Sequence, residues 1–183
     1  LIIRIHDAMF RSEVMKQRSE VAGEWNDRAF SLLREGLTSS ALKEKQNPRM
    51  SVYSDQIVWG RSPVRIDLAG GWTDTPPYCL MEGGDVVNIA IDMNGQQPIQ
   101  TYVRPCREPH IVLRSIDLGS AEKITTYDEL RDFHHVGSPF SIPKAALALC
   151  GFLPEYSLHK YQSLREQLED FGCGIEVTLL SAI

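Results

Sequence analysis

The stretch that decides the reading is RSPVRIDLAGGWTDTPPYCLMEGGDVVNIAID, from Arg61 to Asp92. Val64 to Ala69 reads as a strand that carries Arg65 and Asp67 and runs into Gly70-Gly71. A polar turn follows, Trp72-Thr73-Asp74, then Pro76-Pro77, a second glycine pair at Gly83-Gly84, and an apolar strand from Val86 to Ile91. Paired glycines let a backbone approach a ligand closely or adopt positive φ. A short polar cluster at a strand end, on a rigid scaffold, is where binding residues are commonly placed. Asp74 can accept hydrogen bonds from vicinal hydroxyls. Trp72 offers a flat apolar face suited to the C–H face of a sugar ring. Arg65 is a permanent cation with a forked donor set suited to phosphate or carboxylate. A β-turn with an Asx cap, and an Arg65–Asp67 ion pair, account for the same residues without any ligand. Residue chemistry alone leaves both readings open. The GxxxxGK[ST] loop is absent, and these glycines lack the dinucleotide-binding spacing.

Outward from this block, the chain changes texture. Leu1 to about Lys45 is almost free of proline and predicts helices over Ile5 to Glu20 and Gly23 to Glu35. In the second, Trp25, Ala29, Leu32 and Leu33 share one face, and Gly36 reads as its stop. That face predicts packing on a neighbour lying upstream rather than a ligand role. Thr38 to Arg49, ending in Asn47-Pro48, reads as a boundary, so residues 1–50 are expected to form a helical linker or packing arm. Strands are expected over Gln56 to Ser62, Gln100 to Val103, Ile111 to Ile116, Glu122 to Thr126 and Glu176 to Ile183. Helices are expected over Tyr127 to Phe133, Ser141 to Cys150 and Leu158 to Asp170, with Pro143 near the start and Gly151 past the end of the middle one. Strands, then helices, then a strand give an α+β layer rather than a repeating βαβ wheel.

Bulk composition narrows the function. The chain has 183 residues, 43% hydrophobic and 23% charged, enough for a packed core. Its net charge of −5 argues against nucleic-acid or anionic-membrane partners, which need a clustered positive field. No apolar run approaches the ~18 residues of a membrane span, and the apolar start is interrupted too soon by Arg4, His6 and Asp7 for a signal peptide. Cys79, Cys106, Cys150 and Cys173 form no CxxC pair and read as free thiols in a reducing cytoplasm. No metal-ligand spacing appears; His134-His135 reads as an exposed loop pair and Lys144 as a solvent-facing helix lysine. Glu82 and Asp85, beside the second glycine pair, are further candidates for contacts to sugar or Mg²⁺. The missing initiator methionine, and the apolar run GIEVTLLSAI at the other end, read as those of a piece cut from a larger polypeptide.

Ser62-Pro63-Val64-Arg65-Ile66-Asp67-Leu68-Ala69-Gly70-Gly71-Trp72-Thr73-Asp74 resembles the first signature of the galactokinase–homoserine kinase–mevalonate kinase–phosphomevalonate kinase (GHMP) superfamily. Gly83-Gly84, Val87-Asn88 and Ala90-Ile91-Asp92 resemble its continuation. Gly71 and Trp72 stand where galactokinases have Glu and His, and the Gly-Gly-X-Thr-Asp-X-Pro-Pro-Tyr arrangement is closer to heptose-phosphate kinases and L-fucokinases. Trp72 tilts the resemblance toward fucokinases, and the Ser138 to Gly151 region also resembles that branch. The whole resembles the segment joining the halves of bifunctional bacterial fucokinase/GDP-fucose pyrophosphorylases.

The resemblance implies a ribosomal protein S5 domain 2-like fold over residues 51–183, a mixed sheet with helices on one face, truncated before the ATP phosphate loop, which would follow Ile183. It implies ATP and Mg²⁺ as cofactors and phosphorylation of the anomeric hydroxyl of L-fucose. Arg65 would stabilise charge near the reacting oxygen, while Asp74, Trp72, Gly71 and Thr73 would bind the sugar. The partners implied are sugar, ATP, a downstream kinase half and an upstream nucleotidyltransferase. Because the ATP loop is missing, the segment alone is expected to be inactive. Two alternatives stand beside this: a heptose-phosphate kinase, for which few basic residues are visible near Asp74, and a catalytically silent sugar-binding module on the same fold.

Overall fold

The computed structural model describes residues 1–16, 19–41, 45, 47–75, 78–134 and 138–181. Pro76-Pro77, His135 and Ala182-Ile183, all singled out above, lie outside the described residues. The chain divides into two compact units, one of residues 1–44 and 67–89, the other of residues 45–66 and 90–183.

The first unit begins with helices α1 (Ile2–Val14) and α2 (Ser19–Ala41). Ile5 and Ala8 of α1 and Ala29 and Leu32 of α2 are buried, so the apolar stripe of α2 finds its neighbour within the chain. Trp25 and Leu33 of the same stripe remain half-buried. The Ser12 hydroxyl donates to the Ala22 carbonyl at 2.9 Å, and the Arg11 guanidinium lies over the Trp25 ring at 4.9 Å while pairing with Asp7. Two helix limits differ from expectation. The first helix closes at Met15, whose N–H donates to the Arg11 carbonyl at 3.0 Å. The second runs through Gly36, where a Cβ would collide with Leu1. That glycine lies inside the helix and does not end it.

The second unit is built on a five-stranded mixed sheet in the order β1-β4-β7-β5-β6. Its strands are β1 (Val58–Ser62), β4 (Ile99–Cys106), β5 (Ile111–Ser115), β6 (Ser120–Ile124) and β7 (Gly174–Ser181). β5 and β7 are parallel; the other neighbours are antiparallel. Alternation along the strands gives the sheet two characters. Ile111, Leu113, Ile175 and Val177 are buried on one face. The other carries Arg104, Glu176 and Arg114, where Glu176 accepts from Arg104 at 2.7 Å and Arg114 at 2.9 Å. Burial pulls the Glu176 carboxyl up, but the two guanidiniums outweigh it and hold it below the ordinary range. Two further strands, β2 (Val64–Ala69) and β3 (Val87–Ile91), form a separate two-stranded sheet.

Helices α4 (Tyr127–Arg131), α5 (Ser141–Leu147) and α6 (Leu164–Phe171) cover the buried face, contributing Leu130, Leu164 and Leu168 to the core. The α4 start is a capping box: the Thr126 side chain accepts from the Glu129 N–H, and Glu129 reaches back to the N–H groups of Thr125 (2.6 Å) and Thr126 (3.1 Å). Those bonds, the Thr125 N–H foremost, lower the Glu129 carboxyl. α5 widens into a looser turn at Ala148–Phe152, with Gly151 at a φ of 98°. α6 begins six residues later than the expected Leu158. Asn47 explains the delay: its Oδ1 accepts from the N–H groups of Leu158 and His159, both at 3.2 Å, which holds that backbone out of helix. Ser163 then caps α6 by accepting from the Glu166 N–H. A buried link joins the helices, as Tyr127 donates to Gln167 at 3.1 Å and Gln167 donates to the Gly151 carbonyl at 2.7 Å. Burial, with Glu166 and Glu155 nearby, pushes the Tyr127 hydroxyl up to about 12.

Candidate functional site

β2 delivers the chain to Gly70 and β3 receives it at Val87; the loop between them contains a one-turn helix, α3 (Tyr78–Met81), that the sequence did not announce. The loop is closed mainly through its backbone. The Thr73 N–H donates to the Gly70 carbonyl at 3.0 Å, and the Thr73 hydroxyl donates to the same oxygen at 2.6 Å, with the Asp85 carbonyl also within reach at 3.1 Å. The two ends of the loop thereby meet at one side chain.

Glycine makes the meeting sterically possible. A Cβ on Gly84 would overlap the Thr73 carbonyl, and one on Gly70 would overlap the Asp85 carbonyl. Gly70 also takes a φ of 74°, a region costly for other residues. What the glycines admit so closely is the loop's own backbone, where the sequence suggested a ligand.

Trp72 is held at a φ of 75°, the left-handed region, where a bulky residue is a genuine outlier. Its side chain is 84% exposed, so no packing around the ring compensates that backbone. A strained residue presenting an unburied indole is a feature whose cost, about 1–3 kcal/mol, is met by the surrounding structure. The Thr75 N–H donates to the Trp72 carbonyl at 3.1 Å and completes the turn, leaving the exposed Asp74 between them.

The structure therefore assembles Gly70, Trp72, Thr73, Asp74, Gly84 and Asp85 in one loop. Gly71 is exposed, and a Cβ added there would meet the Asp67 side chain only at ordinary contact distance. Glu82 donates its N–H to the Tyr78 carbonyl at 3.0 Å and exposes its side chain. Asp85 serves the loop through its carbonyl, with its side chain exposed. Arg65 is exposed in the part of β2 that belongs to the other unit. The role of Thr73 as the tie across the loop was the feature the sequence concealed; its signal is a threonine three residues after a glycine, the spacing of a hydroxyl-closed turn. Chemically, the loop offers carboxylate acceptors and an aromatic face. Five carboxylates and no lysine or arginine lie between Asp67 and Asp92. Of these, Asp74, Glu82 and Asp85 stand exposed on the loop itself, where carboxylates suit hydroxyl donors better than phosphate groups.

Two other expectations change. Lys144 is 2% exposed, and its ammonium donates to Glu122 Oε1 at 2.6 Å, pinning α5 to β6. The exposed-lysine reading fails because a pairing carboxylate on a sequence-distant strand makes burial tolerable. A cavity of about 680 Å³ lies away from the loop, between α5 and the sheet, where Val103, Val177, Leu179 and Ala146 make it almost wholly apolar. The loop carries the reactive groups, and chemistry rather than volume identifies it as the candidate site. All four cysteines are free, and burial raises the thiols of Cys106 and Cys173, which makes them poor nucleophiles.

No protein-family model matches the chain. An L-fucokinase/L-fucose-1-P guanylyltransferase of Bacteroides fragilis is 59% identical over 180 residues, 98% of this chain and 19% of its own length. A bifunctional fucokinase/GDP-fucose pyrophosphorylase of Arabidopsis thaliana is 32% identical over 127 residues, 67% of this chain and 12% of its own. The chain thus spans a fifth or less of the length of these relatives. A mevalonate kinase of Methanococcus jannaschii aligns over 74% of this chain and 34% of its own at 17% identity, with a TM-score of 0.43.

Proposed function

We propose that the chain, which belongs as one segment to the family of the bifunctional L-fucokinase/L-fucose-1-P guanylyltransferases, supplies the sugar-binding front of an ATP-dependent kinase acting on the anomeric hydroxyl of L-fucose. The observation that carries the reading is Trp72, held exposed at positive φ beside Asp74 on a loop that Thr73 ties shut. An exposed indole stacks on the apolar face of a deoxy sugar, and Asp74 accepts from its hydroxyls; Gly71 and Thr73 shape the loop around it. Glu82 and Asp85 border the same loop and are candidates for further hydroxyls. The acidic lining supports a neutral sugar over an already phosphorylated one, which needs cations around it.

Phosphoryl transfer is mostly positioning and charge neutralisation. In this reading Arg65 faces the charge developing on the transferred group, Mg²⁺ travels with the nucleotide, and the ATP phosphate loop follows β7 beyond Ile183. Residues 1–50 form the arm and 51–183 the front of the kinase module. The product would pass to the guanylyltransferase part of the same polypeptide, in a cytoplasmic salvage route to GDP-fucose. The segment by itself transfers no phosphoryl group.

The test uses the full-length parent polypeptide: ATP consumption with L-fucose, D-galactose, a heptose 7-phosphate and mevalonate, for wild type, Asp74→Asn and Arg65→Ala. Turnover on L-fucose is expected. Asp74→Asn should raise the KM for the sugar, and Arg65→Ala should lower kcat by on the order of a hundredfold with a smaller change in KM. Turnover on the heptose phosphate alone would move the assignment to that branch. Sugar binding without any turnover, in a folded protein, would make the module a sensor and overturn the kinase reading.

A further inference from the structure

The way β7 leaves the sheet is set by an acceptor that is not part of any strand. On the β4 side the antiparallel ladder continues to the last described residue, Ser181, opposite Ile99. On the β5 side the parallel ladder stops at Ser115 opposite Leu179, where the Ile116 N–H donates to the Leu179 carbonyl at 2.9 Å. The next bond of a regular parallel ladder would run from the Ser181 N–H to the Ile116 carbonyl. That carbonyl is already engaged: it accepts from the Gly119 N–H at 3.3 Å and closes the turn between β5 and β6. Gly119, at a φ of 59°, makes the turn possible.

The Ser181 N–H donates instead to Asp117 Oδ1 at 3.3 Å. The same oxygen accepts from the Ser115 hydroxyl at 3.1 Å, and Ser115 Oγ accepts from the Leu118 N–H at 3.4 Å. Ser115 is buried, which anchors this chain of bonds to the core. A side-chain carboxylate thus replaces the diverted main-chain carbonyl and extends the grip on β7 beyond the end of β5. A charged acceptor is also a stronger partner for an N–H than a neutral one.

We propose that Asp117 is a positioning residue that fixes the direction in which the polypeptide leaves β7, and hence the placement of the nucleotide-phosphate loop. The second half of this inference rests on the kinase reading above; the first rests on hydrogen-bond geometry alone. With Asp117 in place, Ser181 is held from both sides. Without it, Ser181 keeps its pairing with Ile99 but loses its acceptor on the β5 side.

The experiment compares Asp117→Ala and Asp117→Asn in the full-length parent polypeptide, with two readouts. Amide hydrogen exchange at Leu180 and Ser181 should quicken in Asp117→Ala, while the Asn variant, which keeps an acceptor oxygen at this position, should stay near wild type. The KM for ATP should rise about tenfold in Asp117→Ala, with the KM for the sugar moving less than about twofold and Asn restoring most of the loss. Unchanged exchange and unchanged KM for ATP in Asp117→Ala overturn the proposal. A rise shared equally by ATP and sugar, or an Asn variant as impaired as Ala, overturns it too, because either points to general disruption. If the parent phosphorylates none of the sugars, the kinase reading fails, while exchange at Ser181 still decides whether Asp117 holds the strand.

Discussion

Between Ile111 and Val177, the side chains of Ile111, Leu113, Ile124, Leu130, Leu164 and Leu168 are wholly enclosed, whereas none of the side chains described between Ile66 and Ile89 is buried. The first region is organised by apolar burial, a non-directional force that tolerates repacking. Among its described side chains the loop has no such core. Ile66, Leu68, Val87 and Ile89 are exposed, and its shape comes from a threonine hydroxyl, backbone bonds and glycines where nothing larger fits. The two regions therefore answer to different perturbations. A methylene lost from the sheet and helices costs stability; a methyl added to the loop costs shape.

The largest effect expected in the buried region is from Leu168→Ala. Leu168 is fully enclosed, and truncation should destabilise the sheet and helices by about 3 kcal/mol through lost burial and a residual cavity. Hydrogen exchange of the β5 and β6 amides in the parent polypeptide reads this directly. If those amides keep wild-type protection, the core is not the source of order claimed for it.

A smaller effect, of opposite sign, is expected in the loop. Trp72→Gly relieves the left-handed backbone and should stabilise the loop locally by about 1 kcal/mol, slowing exchange of its amides. Sugar affinity should fall at the same time, since the exposed ring is lost. Faster exchange in this variant would show that the indole supports the loop, and the contrast between the regions would weaken.

The smallest effect is acid sensitivity, and it belongs to the buried region. Glu129 and Glu176 both lie below the ordinary glutamate value of 4.5. A carboxyl lowered on folding contributes stability that is complete above its ordinary value and is lost as pH falls through the lowered one. The loss should therefore develop below about pH 4.5. It should be modest at Glu176, whose two arginine partners are each more than half exposed and so well screened. Glu176→Gln should flatten the acid limb of an unfolding titration; an acid limb identical to wild type would remove Glu176 from the account.

Local signals in the sequence carried most of the elements. Pro63 separates β1 from β2, and Gly172, at a φ of 99°, ends α6 with its N–H donating to the Leu168 and Glu169 carbonyls. These features act over three or four residues, the range over which a sequence reader can see. The glycine pairs and the Trp72-Thr73-Asp74 turn were legible in the same way, as backbone that only certain residues adopt.

Other features needed the folded chain because their causes are distant in sequence. Asn47 delays α6 across more than a hundred residues. Glu122 renders Lys144 a buried residue, and β7 inserts between β4 and β5, strands made some seventy residues earlier. Asp117 reads in isolation as an ordinary turn aspartate, and only the diverted Ile116 carbonyl makes it the acceptor that finishes a ladder. The sequence by itself determined where backbone must bend and which residues stand at the exposed turn, because steric limits on φ and short-range hydrogen bonds are local. The tertiary structure alone decided which partner each charge and each strand edge would meet, because those pairings depend on how distant segments share one sheet.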